Sequence, residues 1–76
     1  MVLDRIKELI EEEMNIPADT ITVDSKIAED LGADSIDAIE LIMGIEEEFD
    51  IEISDEEAMA IKSIGDLVNV INKLRQ

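Results

Sequence analysis

Apolar side chains recur at intervals of three and four residues in the first and last segments of this chain, and that spacing restricts the possible folds. In an α-helix it places the side chains on one face, where they can pack against a core. Asn15 and Pro17 stop the first pattern. Lys73 and Arg75 close the last, where cations suit the negative end of a helix. The apolar positions are Leu3, Ile6, Ile10 and Met14 in the first segment, and Ile64, Leu67, Val68, Ile71 and Leu74 in the last.

Between these two segments, helix-start signals mark where further helices begin. Asp34 is placed to cap a second helix that runs to about Phe49. Capping-box pairs, in which a serine is followed three residues later by an acid, open a short third helix toward Ile61 and then the last helix. These pairs are Ser54 with Glu57 and Ser63 with Asp66. The sequence therefore predicts an all-α fold: a small four-helix bundle with a long first loop and a short third helix.

The connection from about residue 15 to 34 is too rich in apolar residues for a solvated linker of that length. Thr20–Val23 alternates like a strand, but an isolated strand has no partner and is interpreted as extended loop. Ile27–Leu31 is expected to form one turn, closed by Gly32. The apolar residues expected to lie against the core are Ile21, Val23, Ile27 and Leu31.

Length and charge limit the class of protein. With 76 residues, the chain is expected to form one domain, residues 1–76. Lys and Arg number 6 against 21 Asp and Glu, and the net charge of −15 argues against nucleic acid and anionic membranes as partners. The same charge predicts a monomer, because copies repel one another. The chain has no Cys and no long apolar run, so a cytoplasmic protein without stable membrane insertion is predicted.

The second helix has apolar side chains on two opposite sides, which is more than one core requires. A domain of this size cannot bury both sides, so one of them is expected to be exposed. Ile42 links the two groups along one flank. The first group is Ala38, Leu41, Ile45 and Phe49, and the opposite group is Ile36, Ile39 and Met43.

The opposite group is bordered by acidic residues, a pattern typical of a surface that docks a partner. The alternative is that these apolar residues pack under the long connection. The acidic residues themselves can also form nothing more than a solvated face. The bordering acids are Asp37, Glu40, Glu47 and Glu48.

Ser35 stands at the head of the second helix. The chain has no His, no Cys and only four Lys, so the usual groups that activate a serine hydroxyl are absent or scarce. No catalytic residue is predicted, and no metal site, because no stretch has the regular oxygen ligands and central Gly of an EF-hand loop. Ser35 is either a helix-start residue chosen for its propensity or a point of attachment.

The residues around Ser35 resemble a known family. The run GADSID at 32–37, followed by Glu40-Leu41 and EEEFD at 46–50, is similar to the acyl carrier proteins of bacterial fatty acid synthesis. The resemblance spans the chain, although Ile36 stands where the family generally has Leu, and Ser54 where it often has Pro. It implies a 4′-phosphopantetheine arm, derived from coenzyme A, on Ser35 between Asp34 and Ile36. The thiol of that arm carries growing acyl chains as thioesters.

The resemblance also implies partners and a pocket. A phosphopantetheinyl transferase is expected to modify Ser35, and fatty acid synthesis enzymes and acyltransferases are expected to dock through basic patches. The implied docking residues are Ile36, Asp37, Ile39, Glu40, Met43, Glu47 and Glu48. The implied acyl pocket is lined by Ile27, Leu41, Ile45, Ile53, Ala58 and Ile61. Two alternatives remain: a carrier of a polyketide or other specialised acyl pathway, and an acidic helical adaptor with no prosthetic group.

Overall fold

The four predicted helices form in the predicted order in the computed structural model, which describes residues 2–75. They are α1 (Val2–Met14), α2 (Ser35–Phe49), α3 (Asp55–Ala60) and α4 (Ile64–Leu74). The connection after α1 also contains a 3-10 turn at Ala18–Thr20, which the sequence pattern did not predict. Among residues 2–75 the extended backbone makes only an isolated antiparallel bridge, between Lys26 and Ser63, and the all-α prediction is confirmed.

The predicted helix starts are confirmed by their hydrogen bonds. At each of α2, α3 and α4 a capping residue accepts from a backbone N–H three residues later, and the side chain at that later position accepts from the N–H of the cap. α2 ends at Phe49, and its C-cap residue Asp50 adopts the left-handed conformation with φ 54°. The three reciprocal pairs are Asp34 with Asp37, Ser54 with Glu57, and Ser63 with Asp66.

The hydrophobic core lies between α1, α2, α4 and the long connection. Each of these segments contributes fully buried aliphatic side chains, whereas α3 contributes none. α3 therefore rests on the surface of the bundle, and its side chains are exposed or half-buried. The buried core residues are Ile6, Leu9, Ile10, Ile21, Ile27, Ala33, Leu41, Ile45, Ile64, Leu67 and Ile71. None of the helices described is long and apolar enough to cross a membrane.

The long connection does lie against the core, with one exception. Ile21 and Ile27 are buried, and Leu31 packs partly against the same cluster. The prediction for Val23 is wrong, because its side chain is 45% exposed. The chain turns here, with the Ser25 N–H donating to the Thr22 carbonyl at 3.0 Å, and this turn ends the extended pattern.

Backbone hydrogen bonds join this connection to the segment between α3 and α4. The N–H of Ile27 donates to the carbonyl of Lys62 at 3.0 Å, and the N–H of Gly65 donates to the carbonyl of Val23 at 2.8 Å. A Cβ at position 65 would lie 3.1 Å from that carbonyl oxygen, so glycine permits the close approach. The join fixes the connection beside the end of α3 and places Lys26 next to Ser63.

Candidate functional site

Ser35 is held as the first residue of α2 by the turn before it and the cap around it. Gly32, with φ +70°, ends the turn after Ile27 in the conformation that glycine adopts most readily. Asp34 then caps the helix: its carboxylate accepts from the Asp37 N–H at 2.9 Å. In return the Asp37 carboxylate accepts from the Asp34 N–H at 3.3 Å. Neither hydrogen bond involves the Ser35 hydroxyl, and the residue is exposed.

The Ser35 hydroxyl differs from every other hydroxyl side chain in the protein. Within residues 2–75, each of the others takes part in a hydrogen bond to a cap, a turn or a second hydroxyl, while none forms at Ser35. Ser35 thus combines exposure with a free oxygen. The engaged side chains are Thr20, Thr22, Ser25, Ser54 and Ser63.

A groove of about 490 Å³ opens beside Ser35, between the start of α2, the turn at 26–29 and the end of α3. Its floor is aliphatic, and its rim carries both acids and lysines. The apolar residues that line it are Ile27, Ala28, Ala33, Ala38 and Ile61. The polar residues are Lys26, Glu29, Asp34, Ser35 and Lys62.

Two of the six residues predicted for the acyl pocket, Ile27 and Ile61, line this groove. Leu41 and Ile45 lie in the core at 1% and 0% exposure. The remaining two, Ile53 and Ala58, are half-buried and do not line the groove.

Sequence reasoning missed the small residues Ala28, Ala33 and Ala38 in the groove wall. Ala38 had a usable signal, because it follows Ser35 by three positions and so shares its helix face. Ala28 had none, because its place depends on the join between the connection and the segment before α4.

The outward side of α2 is exposed, as its sequence pattern predicts. Ile36, Ile39 and Met43 are 66%, 57% and 60% exposed. These three residues are called the outer stripe below. Leu41 and Ile45, on the other side of the same helix, are buried in the core. The alternative that the outer stripe packs under the long connection is therefore wrong.

The acids predicted to border the outer stripe separate into two kinds. Glu40 and Glu47 are exposed, and within residues 2–75 no Lys or Arg pairs with either. Asp37 is half-buried and belongs to the cap of α2. Glu48 faces α1, where its carboxylate lies 2.9 Å from the Arg5 guanidinium. The hydrogen bond from Arg5 lowers the pKa of Glu48 from its ordinary value.

Comparison with known proteins places the chain in a family. Residues 4–71 match the model of the phosphopantetheine attachment site family. The acyl carrier protein of Clostridium acetobutylicum is 51% identical over 71 residues, which are 93% of this chain and 92% of that protein. The acyl carrier protein of Sulfurovum is 47% identical over 96% of this chain and 97% of its own length. These matches cover nearly the full length of both partners.

A solved structure gives the same result. The acyl carrier protein of Enterococcus faecalis superimposes with a TM-score of 0.81 at 38% sequence identity, covering 96% of this chain and 92% of that one. Fold, family model and curated relatives therefore agree. The chain belongs to the acyl carrier protein family, and it is a carrier that uses a 4′-phosphopantetheine prosthetic group rather than an enzyme.

Proposed function

We propose that Ser35 is the residue that carries the 4′-phosphopantetheine group, and that the protein presents growing fatty acyl chains on it to fatty acid synthesis enzymes. The observation that carries this proposal is the state of the Ser35 hydroxyl, which is exposed at the start of α2 and takes part in no hydrogen bond among residues 2–75. The other serines hold caps or turns, so their modification would cost stability.

The residues around Ser35 fit a long, flexible group. The hydroxyl stands at the rim of an open groove whose floor is aliphatic, and small alanines form part of its wall. When attached, the group supplies a thiol on which acyl chains are held as thioesters. Attachment joins Ser35 Oγ to phosphorus and breaks the pyrophosphate bond of coenzyme A, releasing adenosine 3′,5′-bisphosphate. The Asp34 and Asp37 carboxylates are engaged in the cap of α2, and we assign the acceptor of the hydroxyl proton to a base of the transferase.

The outer stripe and its free acids support a docking role for α2. The three exposed apolar side chains of the outer stripe form a surface that a partner can bury. Glu40 and Glu47 can form ion pairs with Lys and Arg of that partner. Asp37 and Glu48 are assigned smaller parts, because their carboxylates are already engaged within the protein. The proposed partners are a phosphopantetheinyl transferase and the synthases and acyltransferases of fatty acid synthesis.

An acyl chain enters the protein through the groove, in this proposal, between Ile27 and Ile61. Beyond that entrance Leu41 and Ile45 are packed to 1% and 0% exposure, so α2 and α3 must separate before a chain reaches them. α3 has no fully buried side chain, which makes it the element that yields at the least cost. We further assign the protein to the cytoplasm as a monomer that binds no nucleic acid, in keeping with its charge of −15.

The test is intact-mass measurement after reaction with coenzyme A and a phosphopantetheinyl transferase. The parent should gain one adduct, and Ser35→Ala should gain none. Ser54→Ala is the matched control, since it removes a hydroxyl at the start of α3 but leaves Ser35 in place, and it should be modified like the parent. An adduct that persists on Ser35→Ala would refute the assignment of the site.

A further inference from the structure

The groove beside Ser35 contains two of the protein's six basic residues. Lys26 and Lys62 are 36 positions apart in sequence, and 13 carboxylates with no Lys or Arg lie between them. The fold nevertheless brings them to one place, because the backbone bridge between Lys26 and Ser63 joins the two segments. Both lysines line the groove together with Ser35.

Neither lysine forms a strong ion pair among residues 2–75. Lys26 lies 3.8 Å from Glu29, both side chains being well exposed, and an exposed pair at that distance contributes little. No carboxylate within residues 2–75 lies in ion-pair distance of the Lys62 ammonium. Two lysines with this little internal use line one groove in a strongly acidic protein, so their charges are available to an anionic group placed there.

The start of α2 carries negative charge that opposes a phosphodiester at Ser35. A helix N-terminus ordinarily attracts anions, but here the carboxylates of Asp34 and Asp37 already occupy that position as a capping box. A phosphodiester on Ser35 therefore meets two fixed negative charges beside it. The positive charges that line the same groove are those of Lys26 and Lys62, and its acids are Glu29 and Asp34.

We propose that Lys26 and Lys62 form a cationic rim that holds the phosphodiester of the prosthetic group against the groove. The inference rests on the proposed attachment at Ser35. As a consequence, the prosthetic group lies along the groove toward Ile27 and Ile61, and not across the acidic side of α2. The two lysines are positioning residues, and they take no part in forming or breaking a bond.

The first experiment compares apo-protein and holo-protein in which the lysine side chains carry a ¹³C label. The Cε signals of Lys26 and Lys62 should move when the phosphodiester is present, while those of Lys7 and Lys73, which do not line the groove, should stay in place. The movement should disappear in roughly 1 M salt, where charges are screened within about 3 Å. Equal movement of all four lysines, or none, would overturn the proposal.

The second experiment uses ³¹P spectra of the holo-protein, which has a single phosphorus. The quantity of interest is the fraction of molecules in which the phosphodiester is bound at the two lysines. In the double variant Lys26→Gln and Lys62→Gln this fraction should fall by roughly two- to five-fold, the range expected for exposed ion pairs. The control is Lys7→Gln with Lys73→Gln, which changes the net charge equally. A control that matches the groove variant would overturn the proposal.

Mass measurement before each spectrum separates this inference from the proposed function. Holo-protein with no adduct on Ser35 would refute both. An adduct on Ser35 whose phosphorus signal is the same in parent, groove variant and control would refute the cationic rim alone. Circular dichroism of both double variants checks that the fold is kept, as expected for substitutions outside the core.

Discussion

The two sides of α2 are built from the same kinds of side chain and have opposite fates. Leu41 and Ile45 are 1% and 0% exposed, whereas Ile36 and Met43 are 66% and 60% exposed. The inner side meets α1 and the core cluster, and the outer stripe meets solvent. Hydrophobicity alone therefore does not assign a side chain to stability or to binding, because the assignment depends on what lies opposite.

Charge distinguishes the two sides as well. The outer stripe is bordered by Glu40 and Glu47, which have no cationic partner in the described part of the chain. Glu48 lies closer to the inner side and pairs with Arg5 of α1. One helix thus carries a surface that stabilises the bundle and an exposed surface to which the proposed function assigns partner binding.

The largest expected effect is on the stability of the fold. Ile45→Ala should lower the free energy of unfolding by about 2 to 5 kcal/mol, because it leaves a cavity in the core. Met43→Ala, on the outer stripe, should change it by no more than about 0.5 kcal/mol. Chemical denaturation followed by circular dichroism measures both. Equal losses would mean that the outer stripe also packs against the protein.

The second prediction concerns the inner side when an acyl chain is present. Each buried CH₂ should add about 0.8 kcal/mol before ordering costs, so the melting temperature should rise with chain length until the pocket is full. Ala38→Phe, in the groove wall, should reduce this gain, while Ala60→Phe, exposed on α3, should not. A melting series over saturated acyl lengths provides the measurement. A flat series in the parent would contradict sequestration of the chain.

The third prediction removes a side chain from the outer stripe. Met43→Ala should weaken binding to a ketoacyl synthase by about 1 to 2 kcal/mol, since exposed apolar anchors supply much of an interface's energy. The dependence of affinity on salt should stay as in the parent. Met59→Ala is the control, because Met59 is 78% exposed on α3. An equal loss in that control would extend the docking surface beyond α2.

The fourth prediction reverses a charge beside the stripe. Glu47→Lys, like Glu40→Lys, should weaken the same complex by about 1 kcal/mol at low salt and less at high salt, because a basic partner surface would meet a cation. Glu12→Lys, an exposed α1 position, makes the same change in net charge away from the stripe. If both variants lost affinity equally, total charge would govern binding and the docking position would be wrong.

The smallest effect is expected at Glu48. Hydrogen bonding to Arg5 lowers the pKa of Glu48 in the folded protein, so its stabilising effect is present above the ordinary glutamate pKa and is lost as pH falls through the lowered value. Glu48→Gln should therefore be slightly less stable than the parent at neutral pH and equal to it in acid. Thermal melts across that range test this. Partner affinity should hardly change, in contrast to Glu47→Lys.

Local sequence determined much of this protein. Reciprocal caps at Asp34, Ser54 and Ser63 fix where three helices begin, because each cap is made by residues three positions apart. The two-sided pattern of α2 likewise predicted its exposed stripe, since helical geometry sets which side chains share a face. The family could be recognised for the same reason, as its motif is a continuous run around Ser35.

Tertiary structure decided what depends on residues distant in sequence. The carbonyl of Val23 accepts a hydrogen bond from the N–H of Gly65, far along the chain, and no local pattern predicts that contact. Glu48 looked like another acid of the outward row until the packing of α2 on α1 placed Arg5 beside it. Lys26 and Lys62 are separated by 36 positions, and they line one groove because a backbone bridge joins their segments. Helical periodicity determines which side of a helix a side chain lies on, but its contacts depend on how the helices and the long connection pack together.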